Sequence, residues 1–179
     1  MRIISGKYKG RHFDVPHTFK ARPTTDFAKE SLFNILINNY VDFSESPTAL
    51  DLFGGTGSIG LEFVSRGCSR VISVEKDFKH WQYLRRICQE LGDPAWKPVH
   101  ADVFKYVPKL SEPFDIVFAD PPYALPNLSE LPELIFSNNI LSEDGIFILE
   151  HGKSDDFSGH PHFVDHRSYG SVNFSFFKK

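Results

Sequence analysis

The tetrapeptide Asp120-Pro121-Pro122-Tyr123 combines the residue types of this chain that suit chemistry on a flat, nitrogen-bearing ring. It follows residues 114–119, a short apolar and aromatic run that predicts a buried strand. Two consecutive prolines cannot donate hydrogen bonds to a sheet, so the strand must end at Asp120. Ligands of open α/β sheets bind outside the carboxyl ends of the strands. The tetrapeptide is therefore expected at the functional edge of a sheet.

Each group of the tetrapeptide has a use in binding an exocyclic amine. The Asp120 carboxylate and the Pro121 carbonyl can accept the two N–H bonds of such an amine, and the Tyr123 ring can stack on the base. The alternative interpretation is a turn that only ends a strand. The tetrapeptide alone leaves both interpretations open.

A glycine-rich loop forms the second motif. Residues 49–53 predict a strand, and Gly54-Gly55-Thr56-Gly57-Ser58-Ile59-Gly60 follows it directly, with a helix expected from Ser58 onward. Glycines allow a tight turn and let a ligand approach the backbone closely. The loop matches G-x-G-x-x-G, which is typical of dinucleotide sites. The three glycines of that match are Gly55, Gly57 and Gly60.

An acidic residue follows the next predicted strand. Residues 71–74 form an apolar, β-branched run that ends at Glu75. A carboxylate in this position accepts hydrogen bonds from a ribose hydroxyl, in either a nicotinamide or an adenosyl cofactor. The alternative is a solvated charge at a strand end, but the place of Glu75 after the second strand favours the cofactor interpretation.

The remaining elements predict an α/β protein with a doubly wound, mostly parallel seven-stranded sheet, preceded by an N-terminal β-hairpin extension. The hairpin is expected from residues 2–5 and 11–15. Thr24 or Thr25 is expected to cap a helix that reaches about Asn39. The inner side of that helix is predicted to carry Phe27, Leu32, Ile35 and Leu36. The other predicted strands are residues 99–101, 145–149, 163–169 and 172–177, and the other predicted helices are residues 77–91 and 128–136, with a short helical turn that Asp102 begins.

Composition places limits on the class of protein. The length of 179 residues fits a main domain at residues 23–179 after a basic arm at residues 1–22. No apolar run approaches a membrane span and the N-terminus has no secretory pattern, so a cytoplasmic protein without membrane contact is predicted. Cys68 and Cys88 lack metal-like spacing. The histidines at 160, 162 and 166 near two aspartates are interpreted as a polar loop and strand, so no metal site is predicted.

Charge is distributed unevenly along the chain. The formal net charge is −3, yet residues 1–30 hold seven basic and three acidic side chains, and the rest holds thirteen basic and twenty acidic ones. A basic arm on an acidic body suits contact with phosphates on one face. The alternative is a solvated hairpin without a partner. The candidate RNA-binding residues of the arm are Arg2, Lys7, Lys9, Arg11 and Arg22.

Taken together, the motifs resemble those of class I S-adenosylmethionine-dependent methyltransferases. Within that class the chain is similar to the bacterial enzymes that methylate the exocyclic N2 of a guanine in small-subunit (16S) ribosomal RNA, the RsmD family. The resemblance runs over nearly the whole chain and departs from the family at Phe27 and Lys29, where members commonly carry arginines. The N-terminal blocks carry most of its specificity: Arg2-Ile3-Ile4-Ser5-Gly6, Gly10-Arg11, Arg22-Pro23-Thr24-Thr25-Asp26 and Glu30-Ser31-Leu32-Phe33-Asn34.

The resemblance implies roles for individual residues. Asp51 and the loop backbone would hold the methionine end of S-adenosylmethionine, and Glu75 its ribose. Asp102 would accept a hydrogen bond from the adenine, although a plain helix N-cap is nearly as good an interpretation. Arg22 would bind either the methionine carboxylate or an RNA phosphate. The residues expected to bind the cofactor and its product S-adenosyl-L-homocysteine are Thr24, Thr25, Asp51, Phe53, Gly54, Gly55, Gly57, Glu75 and Asp102. The expected catalytic residues are Asp120, Pro121, Pro122 and Tyr123.

Three other functions remain open at the level of the sequence. A DNA adenine-N6 methyltransferase would use the same amine pocket. A nicotinamide-dependent dehydrogenase would explain the glycine spacing but leaves the tetrapeptide and the basic arm without a role. A non-catalytic RNA-binding module would not need the glycine loop. The expected substrate is 16S ribosomal RNA within a partly or fully assembled small subunit, and a monomer is the default expectation.

Overall fold

The computed structural model describes residues 1–19 and 24–179. Its strands are β1 (Thr48–Leu52), β2 (Arg70–Glu75), β3 (Trp96–His100), β4 (Phe114–Ala119), β5 (Leu141–His151), β6 (Phe163–Tyr169) and β7 (Val172–Phe177). Its α-helices are α1 (Asp26–Asn39), α2 (Ser58–Ser65), α3 (Phe78–Leu91), α4 (Val103–Tyr106) and α5 (Leu131–Ser137). Short 3₁₀ turns lie at Phe43–Glu45, Val107–Lys109 and Leu128–Glu130. The arrangement confirms the predicted α/β class.

Within the described residues the seven strands form one sheet in the order β3-β2-β1-β4-β5-β7-β6. The first five positions pair in parallel, and β5–β7 and β7–β6 pair antiparallel. The bounds of β4, β6 and β7 agree with the prediction, because short runs flanked by proline or glycine have sharp ends. β2 and β5 are longer than predicted, β5 most of all, since residues 142–144 near its start are polar and partly or fully exposed on an otherwise buried strand.

Strand alternation separates the protein into two packed faces. Side chains of one parity, such as Ala49, Ile116 and Ile148, pack in a core with α1, α2 and α3. Side chains of the other parity, such as Leu50 and Val117, pack in a second core with α4 and α5. The helices therefore cover both sides of the sheet, which leaves its strand ends to carry the polar groups.

The N-terminal hairpin is shorter than predicted. Its two arms meet in a single antiparallel bridge between Arg2 and His12, extended by backbone hydrogen bonds such as Ile3 N to Arg11 O at 3.0 Å. The apolar side chains of Ile3 and Phe13 are buried in the core that contains α1 and α2. Packing on the body, and not strand pairing alone, holds the arm in place.

Helix α1 begins where the sequence predicts but presents different residues to the core. The Thr25 hydroxyl accepts a hydrogen bond from Ala28 N at 3.2 Å and caps the helix. The prediction that Phe27 faces inward is wrong, because this residue is 68% exposed. Its ring packs edge-on against that of Tyr169, with 6.0 Å between the ring centroids. Lys29 takes an interior position instead, with 1% exposure. Its ammonium lies 3.4 Å from Glu62 and donates to Ser58 at 3.0 Å, so ion pairing makes this burial tolerable.

Candidate active site at the carboxyl ends of the strands

One large cavity lies at the carboxyl ends of β2, β1, β4 and β5, and has a volume of about 1260 Å³. Because these strands are parallel, the residues that follow them meet at a single edge. Both motifs predicted from the sequence border this cavity. The predicted residues that line it are Thr24, Thr25, Asp51, Phe53, Gly54, Gly55, Glu75, Asp102, Asp120, Pro121, Pro122 and Tyr123.

The glycine loop turns sharply as it leaves β1. Phe53 has a φ of 64°, a left-handed conformation that is unusual for a bulky residue. Beyond this turn Gly54 N donates to Val74 O at 2.8 Å and Gly57 N donates to Gly54 O at 2.7 Å, so the loop is fixed against β2 and by its own backbone. Gly57 does not line the cavity. With a φ of 79°, it lies behind the loop, where a Cβ would come within 2.7 Å of Leu84.

Asp51 is held in a buried polar network beneath the loop. Ser73 on β2 donates to Asp51 Oδ2 at 2.9 Å, and the Trp96 indole donates to Ser73 at 3.0 Å. The N-terminal part of α2 packs directly on this network at Gly60, whose backbone N–H also donates to Asp51. Burial raises the pKa of Asp51 to about 7, against the opposing effect of the Ser73 hydrogen bond.

Glu75 ends β2 and organises the backbone around it. One carboxylate oxygen accepts from Gly55 N at 2.8 Å and the other from Asp77 N at 2.7 Å. These bonds fix the carboxylate at the cavity wall. Each oxygen keeps a second lone pair, so the carboxylate can still accept ribose hydroxyl groups.

Asp102 performs the capping role that the sequence left as an alternative. It caps α4 by accepting from Phe104 N at 2.9 Å, and its other oxygen contacts the Lys76 ammonium at 2.8 Å. This ion pair and the capping bond hold the pKa of Asp102 below its usual range. Lys76 also lines the cavity. An adenine that bound at Asp102 would therefore compete with an exposed lysine side chain.

Asp120 and Pro121 occupy the tip of β4 beside the tip of β5. Because Ala119 pairs with Leu149 in register, Asp120 lies next to Glu150 on the neighbouring strand. Burial, followed by the negative charges of Glu150 and Asp51, raises the pKa of Asp120 well above its usual range. The raised pKa makes the Asp120 carboxylate a stronger proton acceptor than an exposed aspartate.

Tyr123 is anchored by a residue that the sequence analysis did not single out. Its hydroxyl donates to Glu150 Oε1 at 2.9 Å, while the side chain remains 45% exposed at the cavity. The ring also passes Gly152, where an added Cβ would lie 3.4 Å from Tyr123 Cδ2. The signal for Glu150 was present in the sequence, because an acid directly follows the apolar run 146–149.

Three carboxyl groups of the cavity form no ion pair with a described residue. The pKa of each of three carboxyls is raised mainly by burial: Asp51, Asp120 and Glu150. A cationic ligand would relieve this cost. These groups, the Glu75 carboxylate and the glycine loop fit S-adenosylmethionine, which carries a sulfonium and a ribose.

Of the basic residues of the arm, Lys7 and Arg11 lie away from the cavity, whereas Arg2 lies beside it. Lys7 forms an ion pair with Asp93 at 2.6 Å, and Arg11 donates to Glu90 O at 3.2 Å. Both partners lie at the carboxyl-terminal end of α3, which begins at the cavity and runs away from it. Arg2 instead pairs with Asp26 at 3.1 Å, beside the cavity-lining Thr25. Lys9 is exposed and forms no ion pair with a described residue, and Arg22 lies outside the described residues.

The comparisons with known proteins agree with this geometry. A family described as "Conserved hypothetical protein 95" matches residues 1–178. Ribosomal RNA small subunit methyltransferase D of Escherichia coli is 33% identical over 150 residues, which cover 84% of this chain and 74% of that protein. The chain therefore belongs to the ribosomal RNA small subunit methyltransferase D family. The Buchnera aphidicola protein of the same name is 31% identical, over 84% of this chain and 75% of that protein.

Solved structures extend the family likeness to the whole fold. A protein of Thermus known as TTHA0928 superposes with a TM-score of 0.87 at 26% identity, over 100% of this chain and 99% of that one. An RNA methyltransferase of Salinibacter ruber, solved with S-adenosyl-L-homocysteine, has a TM-score of 0.66 over 87% and 92% of the two chains. At 16% identity it is similar in fold alone. Membership of the methyltransferase D family favours the methyltransferase interpretation over the dehydrogenase.

No helix in the described part of the chain is both long and apolar enough to cross a membrane.

Proposed function

We propose that this protein transfers a methyl group from S-adenosylmethionine to the exocyclic N2 of a guanine in small-subunit ribosomal RNA. The observation that carries the proposal is that the glycine loop and the Asp120-Pro121-Pro122-Tyr123 turn border one cavity. Ribosomal RNA as substrate rests on the names of the family relatives. Guanine N2 as the acceptor rests on the resemblance of the N-terminal blocks to the RsmD family.

The cofactor residues would act mainly by holding and orienting. When bound, S-adenosylmethionine supplies a methyl group on a positively charged sulfur. Glu75 would accept the ribose hydroxyls, and Asp102, which lines the same cavity beyond the neighbouring strand β3, would accept the adenine amine. Asp51 and the amides after Phe53 would hold the methionine end. Thr25 would close the site from the first turn of α1.

The acceptor residues would fix the amine for an in-line attack. The Asp120 carboxylate and the Pro121 carbonyl would accept the two N2–H bonds, and Tyr123 would stack on the flipped base. An aromatic amine is a weak nucleophile, so its orientation and the stabilisation of the positive charge that develops on nitrogen supply most of the catalysis. As the new C–N bond forms, the nitrogen gives up one proton, which Asp120 can accept because its pKa is raised.

The proposed substrate also implies a setting for the protein. We expect a partly or fully assembled small subunit to be the substrate, because Lys7 and Arg11 lie at the far end of α3 from the cavity and a large RNA surface would reach both places. A ribosomal substrate would place the protein in the cytoplasm, where we expect it to act as a monomer.

Mass mapping of modified nucleosides tests the proposal directly. Small-subunit RNA from cells that lack the protein should miss one N2-methylguanosine that is present in wild-type cells. Purified protein and S-adenosylmethionine should restore it, and naked RNA and isolated subunits can be compared as substrates in the same assay. An unchanged nucleoside map would refute the RNA substrate. Loss of an N6-methyladenine from DNA would favour the alternative methyltransferase.

A further inference from the structure

Glu150 is a buried acid in the cavity that the proposed chemistry does not use. It lies near the carboxyl end of β5, lines the cavity and is only 5% exposed. Its Oε1 accepts the Tyr123 hydroxyl at 2.9 Å. Its Oε2 is buried and has no hydrogen-bond partner among the described residues. A buried carboxylate oxygen without a partner is costly, so a ligand group that donates to it would be favoured.

The position of Glu150 relates it to the amine acceptor. Asp120 and Glu150 follow the paired residues Ala119 and Leu149 on neighbouring parallel strands, so their side chains project from the same face of the sheet. Both residues line the same cavity, so two adjacent acceptors border it. A ligand with two adjacent donors on one edge would satisfy both.

Guanine has such an edge, and adenine does not. On the Watson–Crick edge of guanine the N1–H donor lies beside the N2 amine, whereas the N1 of adenine is an acceptor. Flipped bases are recognised through hydrogen bonds to this edge. An ionised carboxylate would attract the guanine N1–H and repel the adenine N1 lone pair.

We propose that Glu150 is the residue that selects guanine: its Oε2 accepts the N1–H of the base whose N2 amine is bound by Asp120 and Pro121. The inference rests on the proposed function, because it assigns a base to the same pocket. The Tyr123 hydrogen bond would hold the Glu150 carboxylate in orientation and couple the stacking ring to base selection.

A purely structural role for Glu150 makes a different prediction. Anchoring Tyr123 requires only Oε1, and a glutamine could provide that acceptor equally well. Selection of guanine requires a group that accepts and cannot donate. The amide of Glu150→Gln can do either after rotation, so this variant should keep the tyrosine anchor and lose the selection.

The test uses three nucleosides as probes on the full-length protein saturated with S-adenosyl-L-homocysteine. Guanosine has both donors, inosine has N1–H without the amine, and 2-aminopurine riboside has the amine without N1–H. Dissociation constants are measured by ligand-observed NMR at pH 8.5, because burial raises the pKa of Glu150 to about 7 and the carboxylate must be ionised. Wild type, Glu150→Gln and Tyr123→Phe are compared.

The wild-type protein should prefer guanosine to 2-aminopurine riboside by roughly 10- to 100-fold, the range for a hydrogen bond to a charged group. In Glu150→Gln this preference should fall below about 3-fold, while the preference for guanosine over inosine, which reports on Asp120, should persist. Tyr123→Phe keeps the stacking ring but loses the bond that orients Glu150, so the preference for guanosine over 2-aminopurine riboside should fall in part, to a value between those of wild type and Glu150→Gln. Equal affinity of wild type for guanosine and 2-aminopurine riboside, or no binding of either, overturns the inference without depending on the folding of a variant.

An unchanged guanosine preference in a folded Glu150→Gln protein would also overturn it. Folding of the variants is checked by their melting temperatures and by S-adenosyl-L-homocysteine affinity. The proposed function fails separately, if the wild-type protein restores no methylated guanosine to small-subunit RNA.

Discussion

The Ser73 hydroxyl donates a 2.9 Å hydrogen bond to Asp51 Oδ2, and this buried pair joins β2 to β1 directly beneath the glycine loop. The indole of Trp96, on β3, donates a 3.0 Å hydrogen bond to the same hydroxyl. Three neighbouring strands are thus connected through one polar network, at the point where α2 approaches the sheet most closely. The position of the glycine loop depends on the space around this network.

Gly60→Ala should destabilise the protein through that network. An added Cβ would lie 2.5 Å from Ser73 Oγ and 3.1 Å from Asp51 Oδ2, so helix and sheet would have to separate. We expect a loss of about 1–3 kcal/mol in unfolding free energy and weaker S-adenosyl-L-homocysteine binding. Chemical denaturation and calorimetry measure the two effects. Gly159→Ala is the matched control, because a Cβ there meets nothing within 4 Å, and a Gly60→Ala protein as stable as this control would contradict the argument.

As the pH rises, the affinity for S-adenosylmethionine should increase relative to the affinity for S-adenosyl-L-homocysteine. Asp51 has a pKa raised to about 7, so it gains negative charge as the pH rises from 6 to 8. This charge attracts the sulfonium of S-adenosylmethionine, whereas S-adenosyl-L-homocysteine has an uncharged sulfur. We expect the ratio of their dissociation constants to shift several-fold in favour of S-adenosylmethionine over this range. Isothermal titration at each pH measures the ratio, and Asp51→Asn should reduce the shift. A ratio independent of pH would exclude the charge interaction.

Asp120→Ala should retain cofactor binding and lose turnover. The carboxylate would contribute both an acceptor for the amine and stabilisation of the developing positive charge, so we expect kcat to fall about 100- to 1000-fold. Single-turnover methylation of small-subunit RNA measures the rate, and calorimetry with S-adenosyl-L-homocysteine measures the retained site. Asp120→Asn keeps one acceptor oxygen and should lose less. Near-normal turnover in Asp120→Ala would remove this residue from the mechanism.

Lys29→Ala should act on stability and not on RNA contact. Lys29 is 1% exposed and lies 3.4 Å from Glu62, which is also buried. Glu62 would keep its ion pair with Arg66 at 2.9 Å, so the loss comes from the cavity left by the side chain and from its buried bonds to Ser58 and the Arg2 carbonyl. We expect a loss of about 1–3 kcal/mol in unfolding free energy. Chemical denaturation measures the loss. Lys29→Met keeps the apolar part of the side chain. If the charge contributes, the unfolding free energy of this variant should remain below that of the wild type. A stable Lys29→Ala protein with weakened RNA binding would instead indicate an exposed, RNA-facing lysine.

Replacing Lys7, Lys9 and Arg11 together with alanine should weaken RNA binding and its salt dependence. Each phosphate contact releases counterions, so the slope of log affinity against log salt should fall by about 1 for each contact that is lost. Filter binding to small-subunit RNA at several salt concentrations measures both quantities. Because these residues lie at the far end of α3, cofactor affinity should stay the same.

A charge-matched triple variant separates this effect from net charge. Lys97, Lys109 and Lys178 lie outside the arm, and their replacement changes the total charge equally. Equal loss of affinity in both triple variants would return the arm to a structural role.

The sequence predicted the elements whose physical causes are local. Prolines 121 and 122 end β4 after Ala119, and Thr25 caps α1 through its own side chain. Phe27 shows where local pattern fails. Helical spacing allowed it to face inward, but the core beside α1 is filled by other residues and by the Lys29–Glu62 pair, so the ring projects outward.

The chain order of strands and turns determined by itself that a glycine loop and a proline turn would meet at one sheet edge, because carboxyl ends of parallel strands share an edge. Only the tertiary structure decided which acids are buried together there. The β4–β5 register placed Glu150 beside Asp120, although thirty residues separate them in the chain, and burial raised the pKa of both. Desolvation depends on everything that surrounds a side chain, and no local sequence pattern contains it.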